Sequence, residues 1–208
     1  MCIASRLVFH LYNSNPDYRI YYKNLSRFCI LDNSAYEFYI KGEELNMDLY
    51  REAIDDLIPD FYILPDVLMN KDKTLELSKK FLNKPINSLS PDPMGTLQGN
   101  TPEEMVECLK EYKKLGIRAI AIPFHNYFYT EYKVDSDIKE FFEEQFGMIN
   151  KDHLYAMGRI QFMRDHKDLL EEMGHVHILG SHCPIEKVFY RNFQTMDTGY
   201  PVKCGIAG

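Results

Sequence analysis

Four short apolar segments of this chain each end at a polar residue whose side chain can take part in chemistry. The segments cover residues 28–31, 61–65, 94–97 and 193–196, and the polar residues that follow them are Asp32, Asp66, Gln98 and Asp197. Short apolar runs bounded by turn-forming residues predict buried β-strands. Because the carboxyl ends of parallel strands meet at one face of a barrel, residues far apart in sequence come together there. The pattern therefore predicts one site built from three carboxylates and an amide.

The rest of the chain alternates between helix and strand patterns. The spacing of apolar residues predicts helices over 46–57, 71–82, 101–115 and 152–173, the last being one helix or a pair. Further strands are predicted over 3–11, 118–123 and 176–179. The third helix has the clearest boundaries, because Thr101 is a capping residue, Pro102 suits a first turn and Gly116 terminates helices. This alternation is typical of a parallel α/β fold.

We interpret residues 1–208 as a single domain with the α/β fold of a TIM-like (β/α)8 barrel. An aromatic and acidic stretch at about 127–150 is predicted to be an irregular insertion. The patterns supply only seven strands, whereas such a barrel has eight and usually about 250 residues. The barrel is therefore expected to be incomplete at the C-terminus, or to be completed by another chain or by an early segment.

The net charge, the cysteines and the apolar runs of the sequence argue against several classes of function. The formal net charge is −7, and because proteins that bind phosphates usually carry a basic surface, the charge alone does not favour a nucleic-acid partner. The five cysteines are scattered without a Cys-x-x-Cys pair, which argues against a disulfide framework and indicates a reducing compartment, the cytoplasm. No apolar run reaches the roughly 20 residues of a membrane span, and no signal-peptide pattern is present, so no membrane partner is expected.

Five motifs follow one another along the chain. They are Leu-Asp-Asn-Ser-Ala-Tyr-Glu (31–37), Leu-Pro-Asp (64–66), Gly-Thr-Leu-Gln-Gly (95–99), His-Ile-Leu-Gly (177–180) and Met-Asp-Thr-Gly-Tyr-Pro (196–201). In order and spacing they resemble the tRNA-guanine transglycosylases, and they look closer still to the DNA-modifying relatives of these enzymes in bacteria and phages. Those relatives exchange guanine for a 7-deazaguanine. The resemblance implies a nucleic-acid partner, DNA more than tRNA, and a 7-deazaguanine base of the preQ0 type.

The resemblance also implies a role for each site residue. Asp197 matches the nucleophile of the family, and Asp32 matches the general acid/base beside it. Asp66 and Gln98 match residues that hydrogen-bond the edge of the base. No metal and no organic cofactor is implied for this chemistry.

Two features of that family are missing from this sequence. Residues 119–123 lack the glycines expected in the corresponding strand, and only Cys204 follows the nucleophile position, where the family has a zinc site of three cysteines and a histidine. These two differences bear on which nucleic acid is the substrate more than on the base-exchange reaction itself. They favour DNA over tRNA.

The residue types suit base exchange on chemical grounds. Breaking a C1′–N9 glycosidic bond passes through a transition state with oxocarbenium character, which a carboxylate such as Asp197 stabilises and can trap covalently. A second carboxyl group, that of Asp32, can move protons on the leaving and incoming bases. Guanine presents N1–H and an exocyclic amine, so an acceptor such as Asp66 suits its edge. An aromatic ring such as Tyr36 or Phe124 can stack on a base that has left its helix.

Simpler interpretations apply to the same residues. An aspartate at a strand end is commonly a helix cap or a turn former. His175, His177 and His182 are close in sequence, which allows a metal site, although alternating histidines on a strand are more often buried side chains with hydrogen-bond partners. The alternative functions are a carboxylate-dependent N-glycoside hydrolase on the same fold and a non-catalytic partner subunit. Assembly as a homo-oligomer or with a partner chain stays open.

Overall fold

A computed structural model of the chain describes residues 2–3, 5–24, 28–87, 91–181, 184–190 and 193–197. Its strands are β1 (Cys2–Ile3), β2 (Ser5–Val8), β3 (Cys29–Asp32), β4 (Phe61–Ile63), β5 (Asp92–Thr96), β6 (Ala119–Ile122), β7 (His175–Ile178) and β8 (Thr195–Met196). Its α-helices are α1 (Phe9–Ser14), α2 (Pro16–Lys23), α3 (Ala35–Lys41), α4 (Met47–Leu57), α5 (Lys71–Leu82), α6 (Pro102–Lys114), α7 (Ser136–Phe146), α8 (Lys151–Asp165) and α9 (Lys167–Glu171). Two 3-10 helices cover Tyr127–Glu131 and Pro184–Val188.

The strands form one parallel sheet in the order β1-β8-β7-β6-β5-β4-β3-β2. β1 pairs with β8, and β2 pairs with β3, so these two segments stand at opposite ends of the order. They are nevertheless only one residue apart in the chain. The sheet therefore curves round until its two ends lie near each other.

The predicted (β/α)8 barrel is wrong. A crossover between parallel strands takes a dozen or more residues, and only one residue separates β1 from β2, so the two segments do not belong to separate βα units. In the described ranges, β8 pairs directly with β1, and no eighth βα unit lies between them. The chain forms a curved, partial version of that barrel.

Three of the predicted helices have the expected boundaries. The side chains of Asn46, Asn70 and Thr101 accept hydrogen bonds from backbone N–H groups in the first turns of α4, α5 and α6. These caps satisfy donors that would otherwise lack an intrahelical partner, so the helices begin where the sequence indicates. The pattern over 152–173 forms the pair α8 and α9. Within the described ranges, no helix combines the length and apolarity that a membrane span needs.

Other elements differ from the predictions. The strand predicted over 3–11 ends at Val8, because Phe9 and Tyr12, three residues apart, are both buried on one side of helix α1. The stretch at 127–150 is not irregular: it contains a 3-10 helix and α7, whose buried residues Ile138 and Phe142 have helical spacing. Helices α2 and α3 were not predicted from the sequence.

The two faces of the sheet carry separate apolar clusters. The helix-covered face contributes to the large core, for example through Leu31 and Ile120. The opposite face carries a small cluster of Ile30, Ile63, Met94, Ala119 and Ala121. Because side chains alternate along a strand, the residue two positions after Ile30, which is Asp32, points to this same inner face. The polar residue at the end of β3 therefore lies on the same face of the sheet as the inner cluster.

Helix α8 is buried on nearly all sides, and it packs closely on the 3-10 helix Tyr127–Glu131. Gly158 makes this contact possible. A Cβ added there would lie 2.0 Å from the carbonyl oxygen of Tyr129 and 2.6 Å from its carbonyl carbon. Both atoms belong to the backbone, so no side-chain rotation relieves the overlap.

We expect Gly158→Ala to destabilise the protein by about 1–3 kcal/mol, because the gain of about 1 kcal/mol in helix propensity is smaller than the cost of separating the two segments. Urea unfolding followed by circular dichroism measures this change. Gly174→Ala is the matched control, since its Cβ would meet its nearest neighbour, the carbonyl oxygen of Arg118, at 3.4 Å. Equal unfolding midpoints for the two variants would contradict the close contact at Gly158.

Candidate active site

A cavity of about 300 Å³ lies at the carboxyl ends of β3 to β7. Among its lining residues are five of the six predicted site residues, namely Asp32, Tyr36, Asp66, Gln98 and Phe124. The sixth, Asp197, is not part of the lining but is hydrogen-bonded to Gly180, which is. Residues from five separate chain segments therefore converge on one pocket.

Asp66 is held by two side-chain amides. Nδ2 of Asn33 donates to Oδ1 of Asp66 at 2.6 Å, and Nε2 of Gln98 donates to Oδ2 at 2.6 Å. The same Asn33 nitrogen also donates to the carbonyl of Leu64, and Oε1 of Gln98 accepts from the backbone N–H of Met69. Because each amide makes this second hydrogen bond, its nitrogen and not its oxygen faces the Asp66 carboxylate.

The environment of Asp66 changes its acidity. Burial raises the pKa of the Asp66 carboxyl from 3.8 to about 6, and the negative charge of Asp32 acts in the same direction. The hydrogen bonds from Asn33 and Gln98 lower this pKa and limit the rise. Asp66 therefore changes its charge just below neutral pH and is mainly an acceptor above it.

Asp32 is buried at the end of β3, where the chain turns into α3. Its Oδ1 accepts from the backbone N–H of Ser34 at 2.6 Å, which is the turn-forming bond that a strand-end aspartate often makes. Ser34 adopts a left-handed backbone with φ of 65°, a conformation uncommon for residues other than glycine. The structural role of Asp32 thus coexists with its position in the cavity wall.

Asp197 lies directly after β8 and is also buried. Its Oδ1 accepts from the backbone N–H of Gly180 at 2.8 Å and lies 3.0 Å from Nε2 of His177. Its backbone carbonyl accepts from the N–H of Ser181. These contacts tie the end of β8 to the end of β7, so the Asp197 carboxylate is fixed next to the cavity wall.

The predicted stacking residues differ in accessibility. The Tyr36 side chain is 48% exposed, whereas Phe124 is 5% exposed and packs edge-on against His125. The Tyr36 and His125 rings are nearly parallel, with an interplanar angle of 8° and centroids 6.1 Å apart. Of the two predicted aromatics, Tyr36 is the one whose face a ligand can reach.

Sequence reasoning did not assign roles to Asn33 and Gly180. Asn33 lies within the first motif, directly after Asp32, and this adjacency was the available signal. Gly180 has a positive φ of 67° and closes the His-Ile-Leu-Gly motif. His125 follows the aromatic Phe124 and lines the cavity beside it.

The clustered histidines do not form a metal site within the described part of the chain. His175 and His177 both contact the hydroxyl of Thr195, while His182 lies outside the described residues. Across the described ranges, no group of three or more His, Cys, Asp or Glu side chains is arranged to hold a metal ion. Residues 198–201, which complete the last motif, also lie outside those ranges.

A second, larger cavity of about 730 Å³ adjoins the first. The two share Asn33, Ala35, Asp66 and Leu68. Lysines from α5 and the apolar side chains of Phe38 and Leu45 contribute to its wall, together with several acidic residues. The combined space has room for a ligand larger than a single base.

Comparisons with known proteins give no family for this chain. No protein-family model matches it, and no curated protein matches it significantly. The resemblance to transglycosylases therefore depends on the motifs, and the functional argument depends on the geometry of the site.

Proposed function

We propose that the protein is a base-exchange transglycosylase that replaces guanine in a nucleic acid with a 7-deazaguanine. DNA is the favoured substrate, because the motifs look closest to those of the DNA-modifying transglycosylases. The observation that carries the proposal is the shared cavity: Asp32, Asp66 and Gln98 line it, and Asp197 is fixed at its edge. We place the activity in the cytoplasm, since the described cysteines Cys29 and Cys108 are free and buried.

The proposed reaction has two steps, each of which exchanges the group bonded to C1′. In the first, the carboxylate of Asp197 forms a bond to C1′ as the C1′–N9 bond breaks, and Asp32, which enters this step as the neutral acid, gives its proton to N9 of the departing guanine. In the second, Asp32 removes the proton from N9 of the incoming 7-deazaguanine, which attacks C1′ and releases the Asp197 carboxylate. Each residue thus returns to its starting state. These steps use side chains of the chain alone.

The amides around Asp66 suit the recognition of guanine. The N1–H and exocyclic amine of the base are both donors, and a carboxylate that is ionised accepts two such bonds. Asn33 and Gln98 each donate one hydrogen bond to Asp66, which orients the carboxylate before a base enters. A pre-oriented acceptor discriminates well, because a base lacking a matching donor leaves it unpaired. Tyr36 provides an exposed ring face for stacking.

The proposal is tested by mass spectrometry of nucleosides after incubation with labelled guanine or with candidate 7-deazaguanines. Plasmid DNA and bulk tRNA serve as parallel substrates. We expect incorporation into DNA with release of one guanine for each base incorporated. Release of guanine without incorporation would indicate the hydrolase alternative, and incorporation into tRNA alone would overturn the preference for DNA. No release and no incorporation in either nucleic acid would reject the proposed activity.

The acidity of Asp66 gives a prediction for base binding. Because the pKa of Asp66 is about 6, the affinity for guanine should increase between pH 5 and pH 7 as the carboxylate forms. Asp66→Asn should remove this increase and weaken binding at pH 7 by about 1–3 kcal/mol, since an amide leaves one base N–H without an acceptor. The KM for guanine, measured at several pH values for both proteins, checks this expectation.

The same substitution has a consequence for stability that does not depend on function. The folded pKa of Asp66 lies above its usual value of 3.8, so the folded state binds more protons than the unfolded state between about pH 4 and pH 6. Protonation of Asp66 therefore stabilises the folded state fully at low pH, and this stabilisation is lost as the pH rises through 6. Relative to Asp66→Asn, the original protein should become less stable across that window in urea titrations. A constant difference would contradict the raised pKa.

A further inference from the structure

A line of polar side chains occupies the inner face of β7 and β8, below the cavity. Nε2 of His175 lies 2.8 Å from Oγ1 of Thr195, and the same hydroxyl oxygen lies 2.9 Å from Nδ1 of His177. Nε2 of His177 then lies 3.0 Å from Oδ1 of Asp197. His177 and Thr195 are buried, and His175 is partly buried. The contacts form one unbranched chain that ends at the proposed nucleophile.

The donors and acceptors in this chain can be assigned by counting protons. An ionised Asp197 can only accept, so Nε2 of His177 carries a proton and Nδ1 of a neutral His177 does not. Thr195 must then donate its single hydroxyl proton to Nδ1, and its oxygen accepts from Nε2–H of His175. Burial, with a smaller effect of nearby His177, lowers the pKa of His175 to about 4, so at neutral pH that ring has one N–H, which this bond uses. Every donor in the chain has one acceptor.

The neighbouring strand accommodates the two imidazole rings. Ala119 and Ala121 of β6 are in register with His175 and His177 of β7, and their small side chains leave space on the inner face. His175 also packs against the ring of Phe61, with centroids 4.6 Å apart. This ring contact and the hydrogen bond to Thr195 restrict the orientation of His175. The chain is thus part of a packed interior.

We propose that His175 and Thr195 hold His177 as the Nε2–H tautomer and that His177 thereby orients the Asp197 carboxylate for attack on C1′. His177 is a positioning residue, since it acts through Asp197. The backbone N–H of Gly180 donates to the same carboxylate oxygen, so two groups hold this atom in place. The catalytic part of this inference rests on the proposed base exchange, whereas the tautomer assignment requires only that Asp197 is ionised and that His177 is neutral.

Nitrogen-15 NMR of the imidazole rings tests the tautomer without any activity measurement. Spectra at neutral pH, assigned by the loss of one ring in His177→Gln, should show His177 neutral with its proton on Nε2. Thr195→Val removes the hydroxyl donor at nearly constant volume, so the Nδ1 resonance should shift towards that of a nitrogen without a hydrogen bond. A proton on Nδ1, protons on both nitrogens, or an unchanged Nδ1 resonance in Thr195→Val would overturn the chain.

Kinetics test the positioning role. His177→Leu should lower kcat about 100-fold, the scale of a catalytic group misplaced by about 1 Å. The KM for guanine should change little, because the proposed acceptor of the base is Asp66, oriented by Asn33 and Gln98. His177→Gln restores a side-chain N–H and should recover most of the lost kcat. His166→Gln, between α8 and α9, makes the same chemical change away from the site and serves as the control. Equal losses of kcat in the leucine and glutamine variants would overturn the positioning role.

The two proposals fail in distinguishable ways. If the unmodified protein exchanges no base, the proposed function is rejected, and the NMR spectra still decide whether the hydrogen-bond chain exists. If exchange occurs and His177→Leu keeps its kcat, the positioning role is rejected while base exchange stands. If His177→Leu does not fold, His177→Gln and Thr195→Val are compared with the unmodified protein instead. Thr195→Val is then expected to lose kcat, and an unchanged kcat in that variant would overturn the proposal.

Discussion

Replacing Asp197 with asparagine is expected to abolish base exchange and the covalent adduct with the nucleic acid. An amide is a poor nucleophile, and it carries no negative charge to stabilise the oxocarbenium-like transition state. The fold should tolerate the change, because the amide oxygen of asparagine can still accept from Gly180 N–H and His177 Nε2–H. Gel analysis of the denatured adduct and mass spectrometry of nucleosides measure the two losses.

Asp168→Asn provides the matched control for this experiment. Asp168 is an exposed residue in α9, so the same chemical change should leave exchange and adduct formation intact. Thermal unfolding of both variants shows whether a loss of activity reflects unfolding. If Asp197→Asn exchanged bases at the normal rate, another residue would have to be the nucleophile, and the assigned mechanism would be wrong.

Local sequence signals predicted much of the secondary structure. The helices α4, α5 and α6 were predictable because a capping side chain and the apolar spacing agree at each start. The strand ends were predictable because short apolar runs stop at polar residues. By contrast, the apolar run over 3–11 fits strand and helix equally well, and only the burial of Phe9 and Tyr12 shows that it changes from one to the other.

Whether the sheet contains an eighth βα unit could not be read from local patterns. Whether a sheet has room for another βα unit depends on which strands pair at its two ends, and those pairs join residues far apart in the chain. Thr195 of β8 pairs with Cys2 of β1, a contact that no short segment encodes. The prediction of a (β/α)8 barrel took its eighth βα unit from the usual form of that fold, since the sequence supplied only seven strands, and it was wrong for that reason.

The candidate site was also predictable only in part. Asp32, Asp66 and Gln98 were placed together from strand ends alone, and the cavity brings them together. The hydrogen bonds around them were not predictable, because Asn33 reaches Asp66 across 33 positions of sequence. The relation of His177 to Asp197 likewise depends on the pairing of β7 with β8.

A buried ion pair supports the wall of the site. Arg159 of α8 donates through Nη2 to Oε2 of Glu186 at 2.7 Å, and both side chains are fully buried. Nη1 of Arg159 donates to the carbonyl of Leu179, a residue of the cavity wall. Ser181 and Tyr190 donate to Glu186 through their hydroxyl groups. The network therefore connects α8, the end of β7 and the 3-10 helix Pro184–Val188.

The opposing effects on Arg159 show why this pair should matter for stability. Burial alone would lower the pKa of the guanidinium, but the charge and hydrogen bond of Glu186, together with the electrostatic effects of Tyr190 and Tyr129, outweigh burial and raise it. Glu186→Gln keeps the shape of the side chain and removes the charge, which leaves the buried guanidinium without a counter-ion. We expect this variant to lose about 3–5 kcal/mol of unfolding free energy, a large part of the roughly 5–15 kcal/mol typical of a domain.

A double-mutant cycle separates the ion pair from the loss of shape. Arg159→Met should also cost about 3–5 kcal/mol, because it removes the cation that faces the buried carboxylate, whereas the double variant Arg159→Met/Glu186→Gln should lose clearly less than the sum of the two single losses. Lys167 and Glu171 form an exposed pair with 50% and 41% of their side chains accessible, so the equivalent changes there should cost less than about 1 kcal/mol. Urea unfolding at neutral pH gives all of these values. Additive losses at Arg159 and Glu186 would show that the two charges do not stabilise each other, and the cavity wall would then have to be held by packing alone.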